Sequence, residues 1–204
     1  MARRNQHSKS ELREMILSAT EKLLDSDGIQ SLSTRKISRQ IGYTVGTLYL
    51  FFKNLEDLEL HVNARTLEQI YQNLSIVIED GIDPRSNIIA MGHAYVLYAM
   101  DYPQRWRLVF EFSLGEDQAL PFWFQDKIDQ IFHLVEKNIV SLIGDVPNKR
   151  QLTQALWSGV HGVCALAVSK KIDVSGIESV QQLTDTLISR YLDGCSMASA
   201  KNSN

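Results

Sequence analysis

The sequence predicts an all-α fold of about nine helices, and three observations carry that prediction. Apolar residues recur three and four apart along most of the chain, the spacing that puts them on one face of a helix. Capping and stop residues punctuate this periodicity at intervals of a helix length. No stretch alternates apolar and polar residues as a half-buried strand would.

Each element has its own local reason. The first nine residues read as a basic arm carrying Arg3, Arg4 and Lys9. Ser8 and Glu11 have the spacing of a capping box for a first helix, whose apolar face (Leu12, Ile16, Ala19, Leu23) ends at Asp27-Gly28. Ser33 is the N-cap of a second helix, with Leu32 and Ile37 at hydrophobic-staple spacing, and Gly42 supplies its stop. Thr44 caps a third helix of about Val45 to Phe51, with Tyr43 and Leu48 as its staple. Asn54 caps a fourth, with Asp57 placed to favour the positive end of its dipole, and Leu58, Val62, Leu67, Ile70, Leu74 and Val77 carry it onward. Asp83-Pro84 opens a helix to about Met100, and Pro103 starts a shorter one. A long amphipathic helix spans about Pro121 to Ile143, bounded by Gly144 and Pro147. Asn148 begins the next, to about Lys170, and the last runs from about Val180 to Leu192 and stops at Gly194 before a polar tail.

Composition narrows the function classes. The 204 residues carry a net charge of only −3, but its distribution is uneven. Residues 1–53 hold nine Lys/Arg against five Asp/Glu, whereas residues 54–204 hold twelve against nineteen. A basic N-terminal module on an acidic body suits a protein that meets phosphate with one end. Cys164 and Cys195 have no partner at metal-binding or redox spacing and read as free thiols. The polar N-terminus is no secretory signal, and no apolar run approaches 18 residues, so a soluble cytoplasmic protein is expected.

The stretch Leu32–Leu58 reads as helix, glycine-containing turn, helix: the layout of a helix-turn-helix. Its second helix opens with Thr44-Val45-Gly46-Thr47, small and hydroxyl-bearing, which suits close approach to base edges and thymine methyls in a major groove. Ser33, Thr34, Arg35, Tyr49 and Lys53 lie where phosphate contacts are expected, at helix starts and on the flanking surface.

These residues resemble the DNA-binding domain of the TetR family of transcriptional regulators. The matching residues are Ser33-Thr34-Arg35-Lys36-Ile37, then Gly42-Tyr43-Thr44-Val45-Gly46-Thr47-Leu48-Tyr49, Phe52 and Leu58. The resemblance implies a homodimer on a palindromic operator in double-stranded DNA, and a C-terminal helical domain that binds a small effector. Two positions depart from the family pattern. Phe51 stands where the family often has His, and Leu55 where it often has a phosphate-binding Lys, with Lys53 the expected substitute two residues earlier. Farther on, Trp157…His161-Gly162 resembles a signature of one TetR C-terminal subfamily, and Tyr102–Leu108 resembles its companion segment.

The domain reading is therefore 1–60 for the helix-turn-helix domain and 61–204 for a helical effector-binding and dimerisation domain. A largely apolar effector pocket would draw on the aromatic set Tyr95, Tyr98, Trp106, Phe110, Phe132 and Trp157, with His161 as a polar handle. Ala155, Ser158, Gly162, Ala165 and Ser169 form one face of small residues. With Leu183, Leu187 and Tyr191 of the last helix, that face could build a two-fold four-helix dimer interface, or it could pack within the subunit. No catalytic constellation is evident: His161 and Cys164 lack an orienting carboxylate, so no enzyme is expected. No metal site or cofactor is expected either. Two functions fit: a ligand-responsive regulator, most simply a repressor, or a helical binding module that has lost DNA binding. Leu55 and the modest basic charge keep the second in view.

Overall fold

The computed structural model describes residues 7–113, 119–171 and 176–202. Arg3 and Arg4 of the basic arm lie outside them. Nine α-helices occur among the described residues, with no strand. They are α1 (Lys9–Asp27), α2 (Thr34–Ile41), α3 (Val45–Leu48), α4 (Leu55–Ile76), α5 (Pro84–Asp101), α6 (Pro103–Glu111), α7 (Phe122–Ile143), α8 (Lys149–Val168) and α9 (Gly176–Asn202). No helix among the described residues is long and apolar enough to cross a membrane.

The local chemistry follows the caps. The Ser8 hydroxyl accepts from the Glu11 N–H at 3.2 Å while the Ser8 N–H donates to the Glu11 carboxylate at 2.6 Å, closing the capping box of α1. Hydrogen bonds from the Ser8 backbone and hydroxyl hold the Glu11 carboxyl below its ordinary pKa. Ser33 caps α2 through the Lys36 N–H, and Gly42 ends it in the left-handed region at φ 76°, ψ 25°. There the Gly42 and Tyr43 N–H groups reach back to Arg39 and Ser38 carbonyls, a closure that needs the positive φ glycine tolerates.

Two elements differ from the sequence reading. Regular α3 stops at Leu48, and residues 49–51 continue as a tightened turn in which the Phe51 and Phe52 N–H groups both donate to the Leu48 carbonyl. The last helix is longer than expected at both ends and continues through Gly194. Glycine breaks a helix only where the chain uses its positive φ, and Gly194 does not; no proline follows, and Ser196 donates back to the Leu192 carbonyl at 3.0 Å.

The described chain divides into two compact units. The described residues of Met1–Thr66 and Tyr102–Leu120 form one; those of Leu67–Asp101 and Pro121–Asn204 form the other. In the first unit, Ile16, Leu17 and Leu24 of α1, Ile37 of α2, Leu48 of α3, Phe52, and Leu58 and Val62 of α4 share one core. Leu108 of α6 is buried in that core, which is why α6, inside the 61–204 span of the sequence reading, groups with the N-terminal helices. Arg105 grips Asp25 with two hydrogen bonds, at 2.8 and 2.5 Å, and the Asn63 amide donates to the Leu108 carbonyl at 3.3 Å.

The second unit packs α5, α7, α8 and α9 together. Helix α9 lies close on α5 and α8 because glycines face it. A β-carbon on Gly92 would come within 2.5 Å of Ile188 Cδ1, and one on Gly159 within 2.9 Å of Leu187 Cδ2. Arg85–Asp193 at 2.7 Å and His93–Asp185 at 2.5 Å tie α5 to α9 at the surface.

Candidate nucleic-acid interface and apolar cavity

The first unit presents α3 at its surface. Leu48 is buried and anchors the helix, while Thr44, Gly46, Tyr49 and Leu50 are exposed and Val45 and Thr47 half-buried. Thr44 occupies the N-cap position with extended backbone, but its hydroxyl makes no cap bond. It pairs instead with the Thr47 hydroxyl at 3.2 Å, one turn along the same face. Tyr43, preceding the cap, meets His7 through its hydroxyl at 2.8 Å.

Cationic side chains flank this surface. Arg35, Lys36 and Arg39 of α2 are exposed, and so is Lys53 after the turn. Ser33 and Thr34 at the start of α2 are half-buried, with the Ser33 hydroxyl engaged in its cap. The structure therefore gathers all nine sequence-nominated interface residues around α2, α3 and the turn after it. Leu55 opens α4 and packs against the core, so the position where the resemblance leads one to expect lysine is turned inward here. Lys53 keeps its side chain exposed, while its backbone N–H donates to the Asp57 carboxylate at 2.8 Å. Leu50, 79% exposed, escaped sequence reasoning because a leucine in an apolar run, Leu48 to Phe52, reads as core.

In the second unit a cavity of about 40 Å³ lies among Leu74 of α4, Ile88, Met91, Gly92 and Tyr95 of α5, and Val135 of α7. Leu156, Trp157 and Val160 of α8 and Ile188 of α9 complete its wall. Of the nominated pocket residues, Tyr95 and Trp157 line it. His161 stands behind them, hydrogen-bonded to the Tyr95 hydroxyl at 3.0 Å and stacked on Trp157 with centroids 4.8 Å apart. Burial pushes the His161 imidazole below its ordinary pKa, favouring the neutral ring. Phe132 supports Trp157 from α7 at 5.4 Å. Tyr98 is buried but directs its hydroxyl to Gln69 at 2.9 Å. Trp106 and Phe110 pack on each other at 5.1 Å and belong to the first unit. The aliphatic part of the lining has no aromatic signature in the sequence, and Gly92 within an apolar helix is its one local signal.

The nominated dimer face is divided. Ala155, Ser158 and Ser169 are exposed, and Gly162 and Ala165 half-buried. Leu187 packs on Gly159 within the chain, and the Tyr191 hydroxyl donates to the Leu152 carbonyl at 2.8 Å. Leu183 is half-buried on the same helix. Among the described residues no group of three or more His, Cys, Asp or Glu side chains could hold a metal ion. Burial raises the Cys164 thiol to about 12, so it is no nucleophile in the folded chain.

Two family models match. The one for bacterial regulatory proteins of the tetR family covers residues 16–62, and the tetracyclin repressor-like C-terminal domain covers residues 88–191. The chain belongs to the TetR family. That family is one of transcriptional regulators rather than enzymes. Among curated relatives, an uncharacterized HTH-type transcriptional regulator of Haemophilus influenzae is 39% identical over 51 residues, 25% of this chain and 27% of the relative. An HTH-type transcriptional regulator of Staphylococcus aureus is 31% identical over 70 residues, 34% of this chain and 38% of the relative. The chain thus spans well under half of the curated relatives it matches. Solved structures share the fold over nearly the whole chain. A Rhodococcus sp. RHA1 protein of unknown function aligns with TM-score 0.76 at 17% identity, covering 95% of this chain and 98% of that one. The regulator FadR of Bacillus subtilis, solved in complex with stearoyl-CoA, aligns with TM-score 0.70 at 14% identity, covering 89% and 98%.

Proposed function

We propose that this TetR-family chain is a DNA-binding transcriptional regulator, a repressor, that acts as a homodimer on a palindromic operator and is released by a small, largely apolar effector. The observation that carries the reading is the exposed α3, held up by buried Leu48 and flanked by Arg35, Lys36, Arg39 and Lys53. A short helix of this kind enters a major groove while charges on the neighbouring helix and turn take the phosphates. Lys53 serves as the phosphate contact that Leu55 cannot make.

The cavity supports the effector half. Its free volume of about 40 Å³ is only a few times the roughly 10–15 Å³ a single water needs. An effector must part α5, α8 and α9 to enter, and so would bind one arrangement of these helices better than another. Such a difference in affinity is what shifts a regulator between states. In the dimer, that shift changes the spacing of the two α3 helices.

Titration of the fluorescently labelled region upstream of the protein's own coding sequence tests the reading. Specific binding is expected to weaken by at least about tenfold between 50 and 200 mM salt, because each phosphate contact displaces counterions. Binding that is absent or indifferent to salt would sink it.

A further inference from the structure

Between Gln40 and Lys53 the chain carries no charged residue, no amide and no histidine: Ile41, Gly42, Tyr43, Thr44, Val45, Gly46, Thr47, Leu48, Tyr49, Leu50, Phe51, Phe52. The groups that distinguish base pairs by paired hydrogen bonds are therefore missing from α3 and its flanking turns. Guanine is read by Arg or Lys, adenine by Asn or Gln, and cytosine by Asp or Glu. What α3 and the turn after it expose is threonine, glycine and apolar side chain, with Tyr49 52% and Leu50 79% open to solvent. The threonine hydroxyls discriminate little, because a hydroxyl bonds to either donor or acceptor edges, and one of the two O–H groups is already spent on the Thr44–Thr47 bond at 3.2 Å. The cations Arg35, Lys36, Arg39 and Lys53 bracket this uncharged surface rather than interrupt it, so charge complementarity with a duplex lies at its rim.

We infer that the α3 surface reads its half-site through thymine 5-methyl groups, with Thr44, Thr47 and Leu50 as the contacting side chains. The 5-methyl is the one apolar feature a base edge offers in the major groove, and it marks a T·A pair and its direction. This rests on the proposal that α3 docks into DNA, and it adds which chemical group there is recognised. The specificity it gives is for thymine-rich half-sites.

The test uses the full chain and an operator duplex recovered by iterative selection from random DNA. Each thymine is replaced in turn by deoxyuridine, which removes only the methyl, and each guanine by 7-deazaguanine, which removes only the N7 acceptor. One or two deoxyuridine positions per half-site should each weaken specific binding roughly fourfold, the worth of one apolar carbon removed from water. Leu50→Ala or Thr47→Ser should abolish the penalty at its own position, since the methyl then has nothing to meet. Specific binding that tolerates deoxyuridine everywhere but falls with 7-deazaguanine would overturn the inference and leave DNA binding intact. Selection that enriches no sequence, with no salt-dependent duplex binding, would instead remove the reading on which the inference rests.

Discussion

Gly46 is exposed, lies outside the positive-φ region, and would offer an added β-carbon only an ordinary 3.7 Å contact with the Thr44 hydroxyl. The fold therefore does not require a glycine there, and glycine in a helix costs up to about 1 kcal/mol against alanine. On the proposed docking of α3 into DNA, its reason is the close approach of the groove to the α3 backbone. Gly46→Ala is expected to leave the urea midpoint unchanged or raised while weakening specific DNA binding at least about tenfold, since a methyl at the contact forces the groove away. Loss of stability with unchanged DNA binding would reverse that assignment. His161 supplies a second residue-level test. Burial holds its folded pKa below the ordinary 6.5, so in the window just below 6.5 the unfolded chain takes up a proton the folded chain refuses. Stability is then complete above about pH 6.5 and is lost as pH falls through the lower folded value. The urea midpoint should drop less between pH 7.5 and 5.5 in His161→Gln than in the parent. Buried Glu21 and half-buried Glu59, whose carboxyls desolvation raises, act in the opposite sense in both proteins and cancel from the comparison.

At the scale of elements, the close packing of α9 onto α5 depends on a glycine at position 92. The 2.5 Å approach of Ile188 Cδ1 to a β-carbon on Gly92 means that Gly92→Ala must displace a fully buried side chain. A loss of about 1–3 kcal/mol is expected by denaturant unfolding, with much of it recovered in the double variant Gly92→Ala, Ile188→Val, which removes the clashing methyl. No recovery would place the strain elsewhere. Helix starts were legible because they depend on one side chain and three backbone groups: Ser8 with Glu11, Ser33 and Asn54 each announce a helix that the structure contains. Helix ends were less so. Gly28, Gly42 and Gly144 take positive φ and stop their helices, whereas Gly194 stays helical, and nothing local separates the two kinds. The proposed interface residues could be nominated together because they are contiguous in sequence. The cavity could not, because its wall is assembled from five helices, and which aliphatic side chains face one another depends on how those helices cross.

For the whole molecule, the proposed dimerisation on the exposed part of α8 makes a concrete demand. Ala155 lies at the surface on the face of small residues, so a long charge there is harmless to the subunit and obstructive to a close helix pair. Ala155→Arg should yield a folded monomer by light scattering, with an unchanged helical spectrum and specific DNA binding reduced to that of a single half-site. A variant that remains dimeric would move the interface to another face. The first unit carries a further consequence. Its core and its Arg105–Asp25 clasp draw on α6, which the chain reaches only after passing through α5, an element of the other unit. During synthesis α1 to α3 leave the ribosome before α6, yet their core stays open at the Leu108 seat until some fifty further residues beyond Leu58 have been made. The first unit is thus completed only by a helix made well after the rest of it, and a fragment cut at the end of α4 would expose the apolar seat that α6 fills.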